Sequence, residues 1–235
     1  MRVPMAGVKQ RPNSRTSRRD RARATRLRIT KSAYTLFCER GYVGTTIADI
    51  AEAAGVAVQT VYFTFHTKSE LLSRTYDFAV MGEGEPLAPE QQPWYRAMEE
   101  EPGVTRALRH MASGVGEIIR RVTPLYLVAR ACAEGDPETA RVMAFHENWR
   151  AQGYRQMLDL LRAKAELRVG LSPERATQQL LLYAGMDVYH VLVDSYGWTH
   201  EEWVDWTVET LGEQLFGRAE HASLSGDVDH QLPTR

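Results

Sequence analysis

The chain has 235 residues, 43% of them hydrophobic, and a net charge of −1, which suits one small and one larger domain with a real core. No run of about 18 apolar residues is present, which excludes a transmembrane helix, and no apolar stretch follows the basic N-terminus as a secretory signal requires. The charge is divided unevenly: residues 1–74 hold 14 Lys and Arg against 5 Asp and Glu, and residues 75–235 hold 15 against 25. Only the first part is expected to meet a polyanion, the alternative being a solvated basic tail. Cys38 and Cys132 form no CxxC pair, so no disulfide framework is expected and a reducing cytoplasm fits.

Residues 1–21 are rich in Arg, Ser, Pro and Gly without an apolar period and read as a disordered basic arm. From Arg23 to Arg40, Ile29, Ala33, Leu36 and Phe37 recur at helical spacing, and Gly41 is placed as a C-cap. Thr46-Ile47-Ala48-Asp49 is a capping box opening a second helix, which Gly55 ends. A short third helix is expected over Val58–Phe65. Thr67-Lys68-Ser69-Glu70 is a second capping box, starting a fourth helix that runs to about Val80. GEGEPLAPEQQP, Gly82 to Pro93, reads as a linker. Beyond it the expected helices are Val104–Arg121, Pro124–Glu134, Pro137–Leu167, Pro173–Tyr196 and His200–Phe216, with Asp136-Pro137 and Ser172-Pro173 supplying N-cap and N1 proline. Residues 218–235 read as a flexible tail. No β-strand pattern and no internal repeat appears.

Thr46 to Phe65 carries the functional argument. Ala51, Gly55 and Val61 give the small crossing residue, the turn residue tolerant of positive φ and the apolar anchor that a helix-turn-helix needs. Ile47, Ile50, Ala54, Val56 and Phe65 complete a small core with Ile29, Ala33 and Phe37. Val58, Gln59, Thr60, Phe63 and Thr64 are left on the outer face of the third helix, where exposed Val58 and Phe63 ask for a partner. A three-helix bundle without a ligand is the plain alternative; it leaves the basic arm and the uncharged outer face unexplained.

Residues Thr45 to Leu72, TTIADIAEAAGVAVQTVYFTFHTKSELL, resemble the TetR family of repressors: two threonines, an Ile-Ala helix, a Gly-Val turn, a Thr-x-Tyr recognition helix, then Phe-x-Ser-Lys-x-Glu-Leu. The resemblance spans residues 23–75. Ala57 stands where the family often has a capping Ser, and Gln59 where it commonly has Gly. The resemblance implies that Thr46 gives hydroxyl and amide to a phosphate, that Thr60 and Tyr62 donate to the backbone, and that Lys68 pairs with a phosphate. Gln59 is the best base reader, since its amide can pair with adenine N6 and N7, while Phe63 and Thr64 suit thymine methyls. His66 is either a backbone contact or a plain surface histidine. Arg15, Arg18, Arg19, Arg21 and Arg23 would follow the DNA backbone or enter the minor groove, or serve solubility alone.

For the C-terminal part the resemblance implies a ligand pocket and a dimer formed by the last two helices. Their residues are apolar on more than one face, as such a pair requires. Tyr183, Asp187, His190 and Asp194 make one polar stripe on the Pro173–Tyr196 helix, which is pocket lining, a dimer seam or a wet edge. Tyr126, Phe145, His146 and Trp149 are further candidates for contact with a small apolar or amphipathic organic ligand, as are Trp94 and Tyr95; a core role is open for each aromatic. GxSxG, P-loop, GxGxxG and HExxH motifs are absent, so no enzyme and no cofactor is expected. Asp227, Asp229 and His230 lie in the expected tail, and no metal site is expected there.

The reading is an all-α protein in four segments: an arm over 1–21, a helix-turn-helix domain over 22–75, a helical ligand-binding and dimerisation domain over 76–217, and a tail over 218–235. It predicts a cytoplasmic homodimeric transcriptional repressor released from a double-stranded DNA operator by an organic ligand, with no membrane partner. The alternatives are an all-α enzyme acting on a small molecule and a ligand-free architectural DNA binder.

Overall fold

A computed structural model describes residues 14–82 and 88–217. It contains ten α-helices and no strand among the described residues, and the chain divides into two compact units between Thr75 and Tyr76.

The first unit holds α1 (Ser14–Arg40), α2 (Ile47–Ala54), α3 (Val58–Phe65) and the start of α4 (Lys68–Met81). Helix α1 begins at Ser14, inside the stretch expected to be a disordered arm; residues 1–13 of that arm lie outside the described residues. Ile29, Ala33, Phe37, Ile50, Ala51, Val61, Phe65, Leu71 and Leu72 close the core, each larger side chain contributing about 1.5–3 kcal/mol on burial. The turn from α1 to α2 is held from inside: buried Thr45 donates its hydroxyl to the Leu36 and Gly41 carbonyls at 3.0 and 2.8 Å. The Thr46–Asp49 capping box forms in both directions. Gly55 adopts φ 63°, ψ 43° at the C-cap of α2, a left-handed conformation that favours glycine, and the Val56 amide returns to the Ala51 carbonyl at 2.9 Å. The second expected capping box is only half formed. Thr67 accepts the Glu70 amide at 3.0 Å, but the Glu70 carboxylate turns to His66 Nδ1 at 3.2 Å.

The second unit begins with the last turns of α4 and is built around α6 (Val104–Ala133), which packs on α5 (Pro93–Glu100), α7 (Pro137–Arg162), α9 (Met186–Tyr189) and α10 (His200–Leu211). Helix α5 starts at the last residue of the expected linker and fills a stretch for which no helix was expected before Val104; within the linker Pro89–Gln91 form a 3-10 turn, and residues 83–87 lie outside the described residues. The sequence places a break between two helices at Pro124, yet this proline sits inside the continuous α6. A proline there removes one intrahelical bond, and the burial of Val122, Thr123, Leu125 and Ala129 on either side outweighs the loss. Glycines let aromatic rings approach α6 closely: a Cβ at Gly114 would fall 2.0 Å from the Trp94 ring, and one at Gly116 would fall 2.9 Å from Trp203.

The helix expected over Pro173–Tyr196 is interrupted. Helix α8 (Pro173–Tyr183) ends at Ala184, Gly185 caps α9, and a π-helical turn follows over His190–Ser195. Helix α7 supplies the partners for the freed carbonyls: Arg150 donates to Leu181 at 3.0 Å and the Tyr154 hydroxyl donates to Ala184. Helix α7 ends at Arg162 rather than Leu167, and Arg168 in the following loop bonds the Gln214 and Leu215 carbonyls beyond α10. Among the described residues no helix is long and apolar enough to cross a membrane.

Candidate nucleic-acid interface

The outer face of α3 is built by subtraction. Val61 and Phe65 point into the core, so the residues between them must face outward. Phe63 is 86% exposed and Tyr62 51%; Gln59 is exposed, and Val58, Thr60 and Thr64 are half-buried. Ala57 provides no side-chain cap for α3, as its chemistry dictates. Thr64 donates its hydroxyl to the Thr60 carbonyl at 2.6 Å, which leaves its methyl as the free contact. The face is therefore an amide, a phenol and apolar edges, without charge.

Around this face lie groups of a different kind. The Thr46 hydroxyl donates to Asp49 Oδ2 at 2.6 Å, and these bonds hold the Asp49 carboxyl below its usual pKa, with Arg40 and Lys68 adding to the effect. Lys68 leads α4 and lies 4.2 Å over the Tyr42 ring, its ammonium donating to the Tyr42 carbonyl at 2.5 Å. Tyr42 thus fixes where that charge stands, a role not visible in the sequence pattern; its signal is the aromatic residue directly after the C-cap Gly41. Next to Tyr42, Val43 is 80% exposed. His66 caps α3 with φ 54°, an uncommon value for a non-glycine residue.

The ligand candidates divide into separate groups. Tyr126 and Asp187 come together: the Tyr126 hydroxyl donates to Asp187 Oδ2 at 2.8 Å, and Arg130, one turn further along α6, pairs with the same carboxylate. Burial, then Asp187, raises the Tyr126 phenol pKa. Arg130 was missed, although its place four residues after Tyr126 puts it on the same helix face. His146 stacks on Tyr76 at 4.7 Å, while Phe145 and Trp149 are 53% and 60% exposed on α7. The break in α8 splits the expected polar stripe. Tyr183 meets the Trp206 ring at 6.0 Å, and His190 pairs with Asp194 at 2.9 Å. A partly open cleft of about 270 Å³ is lined by Arg162, Glu166, Leu167, Leu171 and Pro173; none of the expected ligand residues lines it. Among the described residues no group of three or more His, Cys, Asp or Glu is placed to hold a metal, and Asp227, Asp229 and His230 lie outside those residues.

Residues 29–75 match the profile of bacterial regulatory proteins of the tetR family. Over 59 residues the chain is 41% identical to the HTH-type transcriptional regulator TtgR of Pseudomonas putida and to the probable regulator ArpR of the same species. These matches cover 25% of this chain and 28% of each relative, so the chain spans little more than a quarter of the length of the curated relatives it matches. Similar solved structures extend over both units. NalD, the secondary repressor of the MexAB-OprM multidrug efflux pump in Pseudomonas aeruginosa, aligns with a TM-score of 0.64 at 22% identity, covering 84% of this chain and 98% of that one. The regulator FadR from Bacillus subtilis, solved with stearoyl-CoA, aligns with a TM-score of 0.64 at 16% identity, covering 80% and 98%. At such identities the likeness shows a shared fold. Sequence and geometry agree on the helix-turn-helix, and residues 29–75 are similar to the N-terminal domain of bacterial regulatory proteins of the tetR family.

Proposed function

We propose that the protein is a dimeric DNA-binding transcriptional regulator, a repressor that a small organic ligand releases from its operator. The observation that carries the reading is the uncharged, exposed face of α3 beside a strongly basic α1. Gln59 supplies bidentate hydrogen bonding to a base edge, Phe63 and the Thr64 methyl supply apolar contact to thymine, and Val58 adds a small apolar edge. Thr46, Thr60, Tyr62, His66 and Lys68 surround that face with groups suited to phosphates. Lys68 and Thr46 have only to exchange their present intramolecular partners for phosphate oxygens, which compete well for a cation.

The dimer reading rests on apolar surface left on the last helices. Leu182 is 56% exposed, Val191 41% and Tyr196 71%, and a second copy would cover them. Two copies would then present two α3 helices about 34–36 Å apart, one turn of DNA. Ligand would favour a state whose reading heads no longer fit that spacing. Helix α4 suits this coupling: it begins with Lys68 in the DNA-binding unit and ends in the larger unit, where Arg121 of α6 holds the Ala79 and Val80 carbonyls at 2.9 and 3.2 Å. The ligand reading draws on the Tyr126–Arg130–Asp187 cluster, polar groups able to orient an organic molecule, and on FadR, solved with an acyl-CoA.

Selection of bound duplexes from a random DNA library tests the function. The expected result is a two-fold symmetric sequence from which compounds of an apolar library release the protein. Failure to enrich any sequence overturns the reading.

A further inference from the structure

We propose that the N-terminal half of α1 is a second DNA-contacting element, a basic helix riding on the phosphates that flank the sequence read by α3. The inference rests on the DNA-binding reading above. Residues 14–28 hold seven arginines and one acid, Asp20. From residue 18 to residue 28 every position is exposed except Thr25, which is half-buried, and the core begins only at Ile29. This part of α1 therefore extends as helix without a core of its own.

Its charges are ordered. Arg19, Arg23 and Arg26 follow one another at i, i+4 and i+7, a single stripe on a helix. The same stripe continues as Thr30, Ala33 and Phe37, which are 5%, 0% and 0% exposed and form the side of α1 that packs on the rest of its unit. Upstream of the bundle that side is arginine instead of core, over about 10 Å of helix axis. Two features oppose such a helix in isolation. Like charges three and four residues apart repel, and basic residues in its first turns face the positive end of the helix dipole; no acidic residue lies in the first turn. A polyanion removes both penalties, and continuity with the DNA-reading unit makes the flanking duplex the fitting one.

The helical state also decides the mode of contact. A helix with its side chains is about 10–12 Å across, and the minor groove of B-DNA is about 6 Å wide. Residues from Ser14 onward cannot thread that groove as an extended arm would. They lie across the phosphates, adding affinity and salt dependence without base preference.

The test uses the full chain on its selected duplex, as wild type, as R19Q/R23Q/R26Q and as R19K/R23K/R26K, with log K followed against log salt. Neutralising three phosphate contacts should make the slope shallower by about 2.7 per DNA-binding unit, which is about 40-fold less change in affinity between 50 and 200 mM salt. Discrimination among single-base variants of the duplex should stay as in wild type, the lysine variant should keep the wild-type slope, and amides 18–26 should gain hydrogen-exchange protection on DNA. An unchanged slope in the glutamine variant overturns this inference alone, as does a loss of base discrimination. Binding to phosphatidylserine vesicles that depends on the three arginines, with no change of DNA slope, assigns the stripe to a membrane surface and also overturns it. A wild-type chain that binds no duplex overturns the function itself.

Discussion

Alanine at Gly44 should destabilise the first unit more than alanine at Gly55, although only Gly55 has a backbone that resists a side chain. At Gly55 an added Cβ meets nothing within 4 Å. Its cost is conformational: the left-handed region costs roughly 1–2 kcal/mol for an L-residue, offset by about 0.4–1 kcal/mol from the smaller entropy of the unfolded chain. The net is about 1 kcal/mol. At Gly44 the φ is ordinary, but a Cβ would fall 2.5 Å from the Arg40 carbonyl oxygen and 3.6 Å from its carbon. That neighbour is the backbone of the last turn of α1 and has no rotamer to change, so the cost lies near the upper end of the roughly 1–3 kcal/mol for overpacking. Tryptophan fluorescence would miss both effects, because the five tryptophans begin at Trp94, in the larger unit. Hydrogen exchange of the Val56 amide, bonded to Ala51 at 2.9 Å, reports on the right unit. Its opening equilibrium should rise about 5-fold in Gly55→Ala and on the order of 100-fold in Gly44→Ala, at about 1.4 kcal/mol for each factor of ten. The reverse order, or a Gly44→Ala chain that exchanges like wild type, would refute the geometry of the α1–α2 turn.

Two further outcomes are expected. Burial pushes the Tyr154 phenol up to about 12. A raised acid stabilises the fold below its unfolded pKa, near 10, and this stability is lost as pH rises from there towards 12. The larger unit should therefore lose about 2–3 kcal/mol across that window, and Tyr154→Phe, already weakened at neutral pH by the unpartnered Ala184 carbonyl, should show little further alkaline loss; an identical alkaline profile in both proteins counts against the burial. Trp206→Asp, placed among Tyr183 and Trp198, should give monomer or misfolded protein, and Gln at the exposed Leu182 should weaken association without unfolding; wild type sedimenting as a monomer at micromolar concentration removes the dimer reading.

The helix-turn-helix was legible because its constraints are local. Ala51, Gly55 and Val61 lie close together in the chain, and each is fixed by steric needs that its neighbours announce. The same holds for the Thr46–Asp49 box. What escaped the sequence depends on distant chain. Pro124 reads as a helix break until the buried residues on both sides hold α6 continuous. The Pro173–Tyr196 segment reads as one helix because its composition is helical, whereas Arg150 and Tyr154, far earlier in the chain, take over the carbonyls that its break releases. The capping box at Thr67 was legible in its hydroxyl and not in its acid, since Glu70 chose His66. At the candidate interface, exposure of Gln59 and Phe63 followed from helix period alone, while the placement of Lys68 against Tyr42 needed the fold of the α1–α2 turn. The ligand candidates were chosen by residue type, and type does not say which of them meet: Tyr126 and Asp187 do, with Arg130, and Phe145 and Trp149 stand apart from them on α7.

The central claim is that α3 reads base sequence while its surroundings hold the backbone. Affinities of Gln59→Ala and Lys68→Ala, measured on the selected duplex and on every single-base variant of it, test it most directly. The account predicts that Gln59→Ala loses about 1–3 kcal/mol of discrimination at one position of each half-site, and that Lys68→Ala weakens binding to all the duplexes alike. A Gln59→Ala protein that loses affinity equally on every duplex, with its base preferences intact, would contradict it.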